Sequence, residues 1–308
     1  MIRDIETELE KHGFKSRIVS AIRLKELQKE ITEKRVNGYF FDDFFRERLT
    51  SFKFRPPKQL PKANSLLIAA YPQPKVCIIF NWKGKSHPVL LPPTYMHHPN
   101  AILEKLLKDL LKPFDFHVVK TILPLKLLAV RSGLGSYGRN NICYIPKWES
   151  FHRLMAFFPD LPCEDDVWFE SSMMKECRKC TACIRACPTG AITSERFLIR
   201  AERCLTFQNE RSGEFPSWVD PSWHHCLFGC IGCQKICPQN KRMLNWIEDR
   251  EEFIEQETSL ILEKVPLNRI PSSTRKKIEK LYMIDEYELL SRNLNSVLIN
   301  SLFDKREE

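Results

Sequence analysis

The chain has 308 residues, 12 of them cysteine, and 48 Lys and Arg against 39 Asp and Glu give it a formal net charge of +9. A composition of 43% hydrophobic and 28% charged residues is that of a globular protein with a sizeable core, not of a disordered or fibrous one. No apolar run reaches the roughly 18 residues of a membrane span, so no membrane partner is expected. The N-terminal stretch "MIRDIETELEKHGFKSR" lacks an apolar leader segment, and the expected compartment is the cytoplasm. In a reducing cytoplasm so many cysteines point to metal or redox chemistry, not to disulfides. The basic residues are spread along the chain, densest in "TRKKIEK" (274–280), as on a solvated surface with some attraction for phosphates or acidic partners.

In chain order, Ile2, Ile5 and Leu9, then Ile18, Ile22, Leu24, Leu27 and Ile31, follow helical spacing interrupted at "HGF", which predicts two helices. "SLLIAAY" and "KVCIIFNW" predict strands, and "NAILEKLLKDLLKPF" an amphipathic helix. The alternation predicts an α/β domain through about residue 160. Only ten glycines occur in the whole chain, yet Gly133, Gly135 and Gly138 fall within six positions, as backbone in unusual conformations or close to a ligand requires. Their G-x-G-x-x-G spacing follows a predicted helix, not a strand, so it is a poor dinucleotide fingerprint. Past residue 240 the sequence predicts about three helices without cysteine.

The segment "CRKCTACIRACPTG" (177–190) carries C-x2-C-x2-C-x3-C-P. Soft thiolates at this spacing wrap three ligands round one [4Fe–4S] cubane while the fourth reaches a second one. Cys177, Cys180 and Cys183 are expected to hold one cluster, completed by Cys237 through the crossover, with Cys187 turned to the other. The downstream run "CIGCQKICP" lacks a cysteine at Leu227, so Cys187, Cys230 and Cys233 need a fourth partner, Cys204 or Cys226. Cys204 is preferred because Cys226 lies only four residues before Cys230. Cys77 and Cys143 read as buried inert thiols and Cys163 as an exposed bystander. His224 and His225 read as packing or hydrogen-bonding groups, and His97 and His98 as loop residues.

Taken together, "AVRSGLGSYGRNN" (129–141), the two cysteine runs, "RC" (203–204) and, more weakly, "FRPPKQLPKANSLLIAAYPQP" resemble the epoxyqueuosine reductase family, cobalamin-dependent iron–sulfur enzymes related to reductive dehalogenases. The resemblance covers roughly residues 45–240. It implies an α+β protein: a nitroreductase-like α/β cobalamin-binding domain (1–170), a bacterial ferredoxin-like domain with two [4Fe–4S] clusters (171–240), and a short helical tail (241–308). It assigns Cys204 to the second cluster, and it brings Arg131, Ser132, Gly133, Gly135, Tyr137, Gly138, Asn140 and Asn141 to the corrin ring. The clusters would reduce cob(II)alamin to cob(I)alamin for substrate reduction, fed by an external low-potential electron donor.

Two departures bear on the substrate. Where the family has an aspartate in an Asp-Thr-Gly-Pro context, this chain has Val119 or Lys120, leaving Lys120 and Tyr137 as weak candidates for a proton donor. The tail is too short for much of the helical array with which the family grips tRNA. The expected order of substrates is therefore a small molecule or a corrinoid protein first and tRNA last. An electron-transfer or activating protein for a corrinoid partner is the alternative.

Overall fold

In the computed structural model, which describes residues 2–163 and 165–303, nine strands and eight longer helices follow in order. They are α1 (Ile2–Lys11), β1 (Lys15–Ser20), α2 (Leu24–Val36), β2 (Ser65–Pro72), β3 (Lys75–Trp82), β4 (Lys85–Leu91), α3 (His98–Leu111), β5 (Val118–Thr121), α4 (Leu125–Arg131), β6 (Ser136–Tyr137), β7 (Cys143–Tyr144) and β8 (His152–Pro159). After the cysteine segment begins come α5 (Leu205–Asn209), β9 (Ile247–Phe253), α6 (Glu255–Leu262), α7 (Ser272–Lys280) and α8 (Tyr287–Phe303). Among the described residues no helix is long and apolar enough to cross a membrane. The chain divides into two compact units, the first of residues 1–73, 97–181 and 194–200, the second of 74–96, 182–193 and 201–308.

The first unit is built on a four-stranded sheet in the order β1-β2-β8-β5, every pair antiparallel. Strand β2 lies inside it and is apolar on both faces, so its residues feed two cores alternately. Leu66, Ile68 and Ala70 pack with Leu24, Leu27, Leu127 and Leu128 of α2 and α4, while Leu67 and Ala69 pack with Leu9, Leu103 and Leu107 of α1 and α3. This is a helix–sheet–helix sandwich, and its continuous apolar strand is what a sheet covered on both faces demands. Helix α3 starts with Pro99 in its first turn and buries Leu103, Leu107 and Leu111 at four-residue intervals.

In the second unit β3 is central, antiparallel to β4 and parallel to β9. Val76, Ile78 and Phe80 turn to one core, where Phe80 stacks on Phe253 of β9 with ring centroids 4.8 Å apart. Ile278 of α7 and Leu290, Leu294 and Leu298 of α8 close that core.

The predicted strands β2 and β3, the predicted helix α3 and the α+β class with a helical tail agree with the structure. Two elements differ. The second predicted N-terminal helix is a strand over Lys15–Ser20, with helix resuming at Leu24, because Ile18 and Val19 serve opposite faces of the sheet. Residues 247–253, expected as helix, form β9: their charged side chains suit an exposed edge, and β3 supplies the backbone partners. This pairing also joins the tail to residues 74–96, so the units do not follow the three consecutive blocks 1–170, 171–240 and 241–308.

Candidate iron–sulfur site

None of the twelve cysteines is joined in a disulfide. The boundary between the units falls inside C-x2-C-x2-C, after Thr181, which leaves Cys177 and Cys180 in the first unit and the other six expected cluster ligands in the second.

Within the second unit two single helical turns, Ala182–Arg185 and Gly232–Lys235, carry Cys183 and Cys233. A Cβ added at Gly232 would make only ordinary contacts, 3.7 Å from Cys230 Sγ and 4.0 Å from the carbonyl oxygen of Ala186, which places the two cysteine turns side by side. Helix α5 begins at Cys204. Burial raises the Cys204 thiol, and the neighbouring Cys187 raises it further. Cys230 is pushed up to about 12 by burial, with Cys204 and Cys187 adding to it. Cys233 is raised by burial and then by Cys230, Cys204, Cys183 and Cys187. The fold thus brings Cys187, Cys204, Cys230 and Cys233 into mutual electrostatic reach from three separate stretches of chain. Cys204, Cys230 and Cys233, with their thiols raised by burial, favour the neutral form when bare and the thiolate only beside a compensating metal charge.

Cys226 is placed differently. It pairs as an isolated bridge with Leu90 of β4, Leu227 N–H donates to the Leu90 carbonyl at 2.9 Å, and its side chain is fully buried. Burial also raises its thiol, with Cys230 as the one contributing cysteine. His225 Nδ1 meets the carbonyl of Trp223 at 2.9 Å and its Nε2 accepts from Ile231 N–H at 3.2 Å, while His224 is buried with its ring 4.5 Å from that of Phe215. His225 thus hydrogen-bonds and His224 packs against an aromatic ring.

In the first unit the glycine-rich stretch forms the β6–β7 hairpin and the turn before it. Gly133 takes φ +74 and lies against the Phe169 ring. At Gly135 a Cβ would fall 2.7 Å from Cys143 Sγ and from the Tyr144 carbonyl oxygen, and at Gly138 one would fall 2.5 Å from the Tyr144 ring. The close approaches these glycines permit are to the chain itself. Arg131 is similarly engaged, Nη2 with Glu26 at 3.0 Å and Nη1 with Glu170 at 2.7 Å, its guanidinium 5.2 Å from the Trp168 ring centroid. Ser132 Oγ donates to the Ala129 carbonyl, Asn140 Nδ2 to the Tyr144 hydroxyl, and Tyr137 sets its ring edge-on to Phe197. Of the eight residues expected at a corrin ring, Arg131 and Asn141 each keep a buried polar atom without a hydrogen-bond partner, Nε in Arg131 and Nδ2 in Asn141, which sits at φ +60.

Of the weak proton-donor candidates, Lys120 is exposed on β5 and Tyr137 is buried, which pushes its hydroxyl well above the usual phenol range. One residue the sequence reading passed over is Arg139. Its guanidinium donates to the carbonyls of Cys177 at 2.7 Å and Cys180 at 3.0 Å, and its backbone N–H faces Cys177 Sγ at 3.4 Å. Its place between two glycine-loop residues was the available signal.

Residues 176–240 match the family of the 4Fe-4S double cluster binding domain. Over 264 residues, 82% of this chain and 67% of the relative, the sequence is 25% identical to the epoxyqueuosine reductase of Staphylococcus aureus. It is 34% identical to that of Bacillus subtilis over 116 residues, which is 38% of this chain and 29% of the relative. The matched stretches thus span from about two thirds to under one third of these relatives. A structure of epoxyqueuosine reductase from Streptococcus thermophilus superposes with a TM-score of 0.68 at 19% identity, covering 99% of this chain and 86% of its own. An epoxyqueuosine reductase solved with a tRNA-Tyr epoxyqueuosine-modified stem loop gives 0.65 at 22%, covering 97% and 80%. The chain is therefore epoxyqueuosine reductase-like in sequence and in fold, with a double [4Fe–4S] cluster domain over residues 176–240.

Proposed function

We propose that the protein is a cytoplasmic iron–sulfur reductase of the epoxyqueuosine reductase type. By the crossover spacing Cys177, Cys180, Cys183 and Cys237 hold one [4Fe–4S] cluster, and Cys187, Cys204, Cys230 and Cys233 hold the other. An external low-potential donor feeds the pair. The match of residues 176–240 to a 4Fe-4S double cluster binding domain carries the proposal, and the mutual electrostatic reach of Cys187, Cys204, Cys230 and Cys233 agrees with it.

The substrate we favour is a modified nucleoside carried by tRNA, which reverses the order expected from the sequence. The support is the likeness in fold to an enzyme solved with an epoxyqueuosine-modified tRNA stem loop. Reductive loss of an epoxide oxygen consumes two electrons and two protons and releases water, and two one-electron clusters match that demand.

One atom in the stretch expected at a corrin ring supports a corrinoid in the first unit. Asn141 Nδ2 is buried without a hydrogen-bond partner, and the amide groups around a corrin ring supply acceptors for such an atom. When bound, the corrinoid would supply a low-valent cobalt centre that delivers electrons to carbon. Asn141 would hold its rim. The exposed Lys120 takes no part, and buried Tyr137 keeps its proton except toward a strongly basic centre.

The second reading, electron transfer to a separate corrinoid protein, is favoured by the glycine loop being filled by its own side chains. Anaerobic protein, incubated with cobalamin and freed of excess, is assayed for iron and cobalt and then offered a reduced donor and an epoxyqueuosine-containing tRNA stem loop. About eight irons, one cobalt and loss of the epoxide support the main reading. Eight irons without cobalt and without turnover would replace it by the second.

A further inference from the structure

The eight expected thiolates leave open what holds each cysteine loop in shape, and for the first loop the structure offers one side chain. A C-x2-C turn that aims its sulfurs and N–H groups at a cluster leaves its carbonyl oxygens to find donors elsewhere. Arg139 supplies them. Its Nη2 donates to the carbonyls of Cys177 at 2.7 Å and Arg178 at 3.3 Å, and its Nε to that of Cys180 at 3.0 Å. A guanidinium can span such a set because its donors lie in a fixed plane.

The backbone of Arg139 is fixed with equal care. The residue before it, Gly138, sits where a Cβ would collide with the Tyr144 ring and Asn140 Oδ1. Strand β6 meets the segment leading into the cysteines, Tyr137 bridging Met173 and accepting from Met174 N–H at 2.8 Å. The hairpin is thereby docked beside Cys177, and the Arg139 N–H points at Cys177 Sγ from 3.4 Å.

We propose that Arg139 is a positioning residue for the first cluster: its guanidinium fastens the Cys177–Cys180 turn, and its charge and N–H favour the reduced state. On this assignment the glycine-rich hairpin serves the cluster, a role distinct from contact with a corrinoid. N–H donors to sulfur and nearby positive charge are among the levers that set cluster potentials. The inference rests on the reading above in one respect, that Cys177 and Cys180 bind iron.

The test compares the full chain with Arg139→Gln and Arg139→Lys after anaerobic reconstitution, by iron content and by redox titration followed by electron paramagnetic resonance. The parent is expected to hold about eight irons per chain. In Arg139→Gln one cluster is expected to become harder to reduce, its one-electron equilibrium shifting about tenfold, or about 59 mV, while the other keeps its potential. Arg139→Lys, which keeps the charge without the fork, is expected to fall between. Loss of one cluster with retention of the other in Arg139→Gln, partly restored by Lys, also supports the proposal. Two clusters at parental potentials in both variants would overturn it. So would equal loss of both clusters in Gln and Lys alike, which marks a general folding role. A parent without iron overturns the function proposed above and this inference with it, whereas a fully loaded parent with unshifted variants overturns the inference alone.

Discussion

Asn209 donates its side-chain amide to the carbonyl oxygen of Gly229 at 2.7 Å, tying the residue before Cys230 to the end of the helix that starts at Cys204. The tail secures this tie. Asn293 donates to the Asn209 carbonyl at 2.8 Å, and Arg292 donates to the carbonyls of Gln208 and Asn209 while lying 4.0 Å from the centroid of the Phe215 ring. Helix α8 thus braces two of the four thiols assigned to the second cluster.

Replacing Asn209 by Leu leaves the buried Gly229 carbonyl without its donor. An unsatisfied buried acceptor costs about 1–3 kcal/mol. The variant is expected to unfold at lower denaturant and to retain less iron, with the deficit confined to one cluster. Denaturation curves and iron analysis check this, and a variant with parental stability would show that the tie carries no weight.

The choice between Cys204 and Cys226 can be settled by iron counting. Cys204→Ala is expected to reduce the content from about eight irons to about four, because the remaining thiols cannot close the second cubane. Cys226→Ala, whose backbone is tied to β4, is expected to leave eight. The reverse pattern would move Cys226 into the ligand set.

The double-cluster segment was legible in the sequence because thiolate chemistry fixes spacing: C-x2-C-x2-C-x3-C-P keeps its pattern whatever the rest of the chain does. Strand β2 and helix α3 were legible for a similar reason, their apolar periods being long and unbroken. Strand β9 was not. "IEDREEF" has the composition of a solvated helix, and only the free backbone edge of β3, far away in sequence, makes it a strand. Strand β1 was hidden because Ile18 and Ile22 keep helical spacing across a strand–helix junction. For the glycine loop the sequence leaves two readings, unusual backbone or a nearby ligand, since it records that a side chain is excluded but not by what. Tyr144 and Cys143, a few residues on, do the excluding.

That packing makes its own prediction. Gly135→Ala places a Cβ 2.7 Å from the backbone oxygen of Tyr144 and 2.8 Å from Ile145, and a backbone oxygen cannot yield as a flexible side chain can. Overpacking of this kind costs about 1–3 kcal/mol. The loss should appear in thermal melts without any added corrinoid. If stability is unchanged and only cobalamin retention falls, Gly135 lines a cofactor site after all.

His152 gives the first unit a pH dependence. It opens β8, is buried, and has no hydrogen-bond partner at Nδ1. Burial lowers its pKa to about 4, against the opposing pull of a backbone hydrogen bond involving Glu149. In the unfolded chain the imidazole titrates near 6.5. Between those values the unfolded state binds more protons, so the stabilisation is fully present above about pH 6.5 and is lost as pH falls toward 4. One proton contributes a slope of up to about 1.4 kcal/mol per pH unit. Urea unfolding of the anaerobic protein at several pH values between 7.5 and 5 should show this slope, and His152→Gln should be flatter by that amount over the same interval. Superimposable profiles for parent and variant would mean that His152 is protonated equally in the folded and unfolded chains, and that the first unit opens to admit the charge.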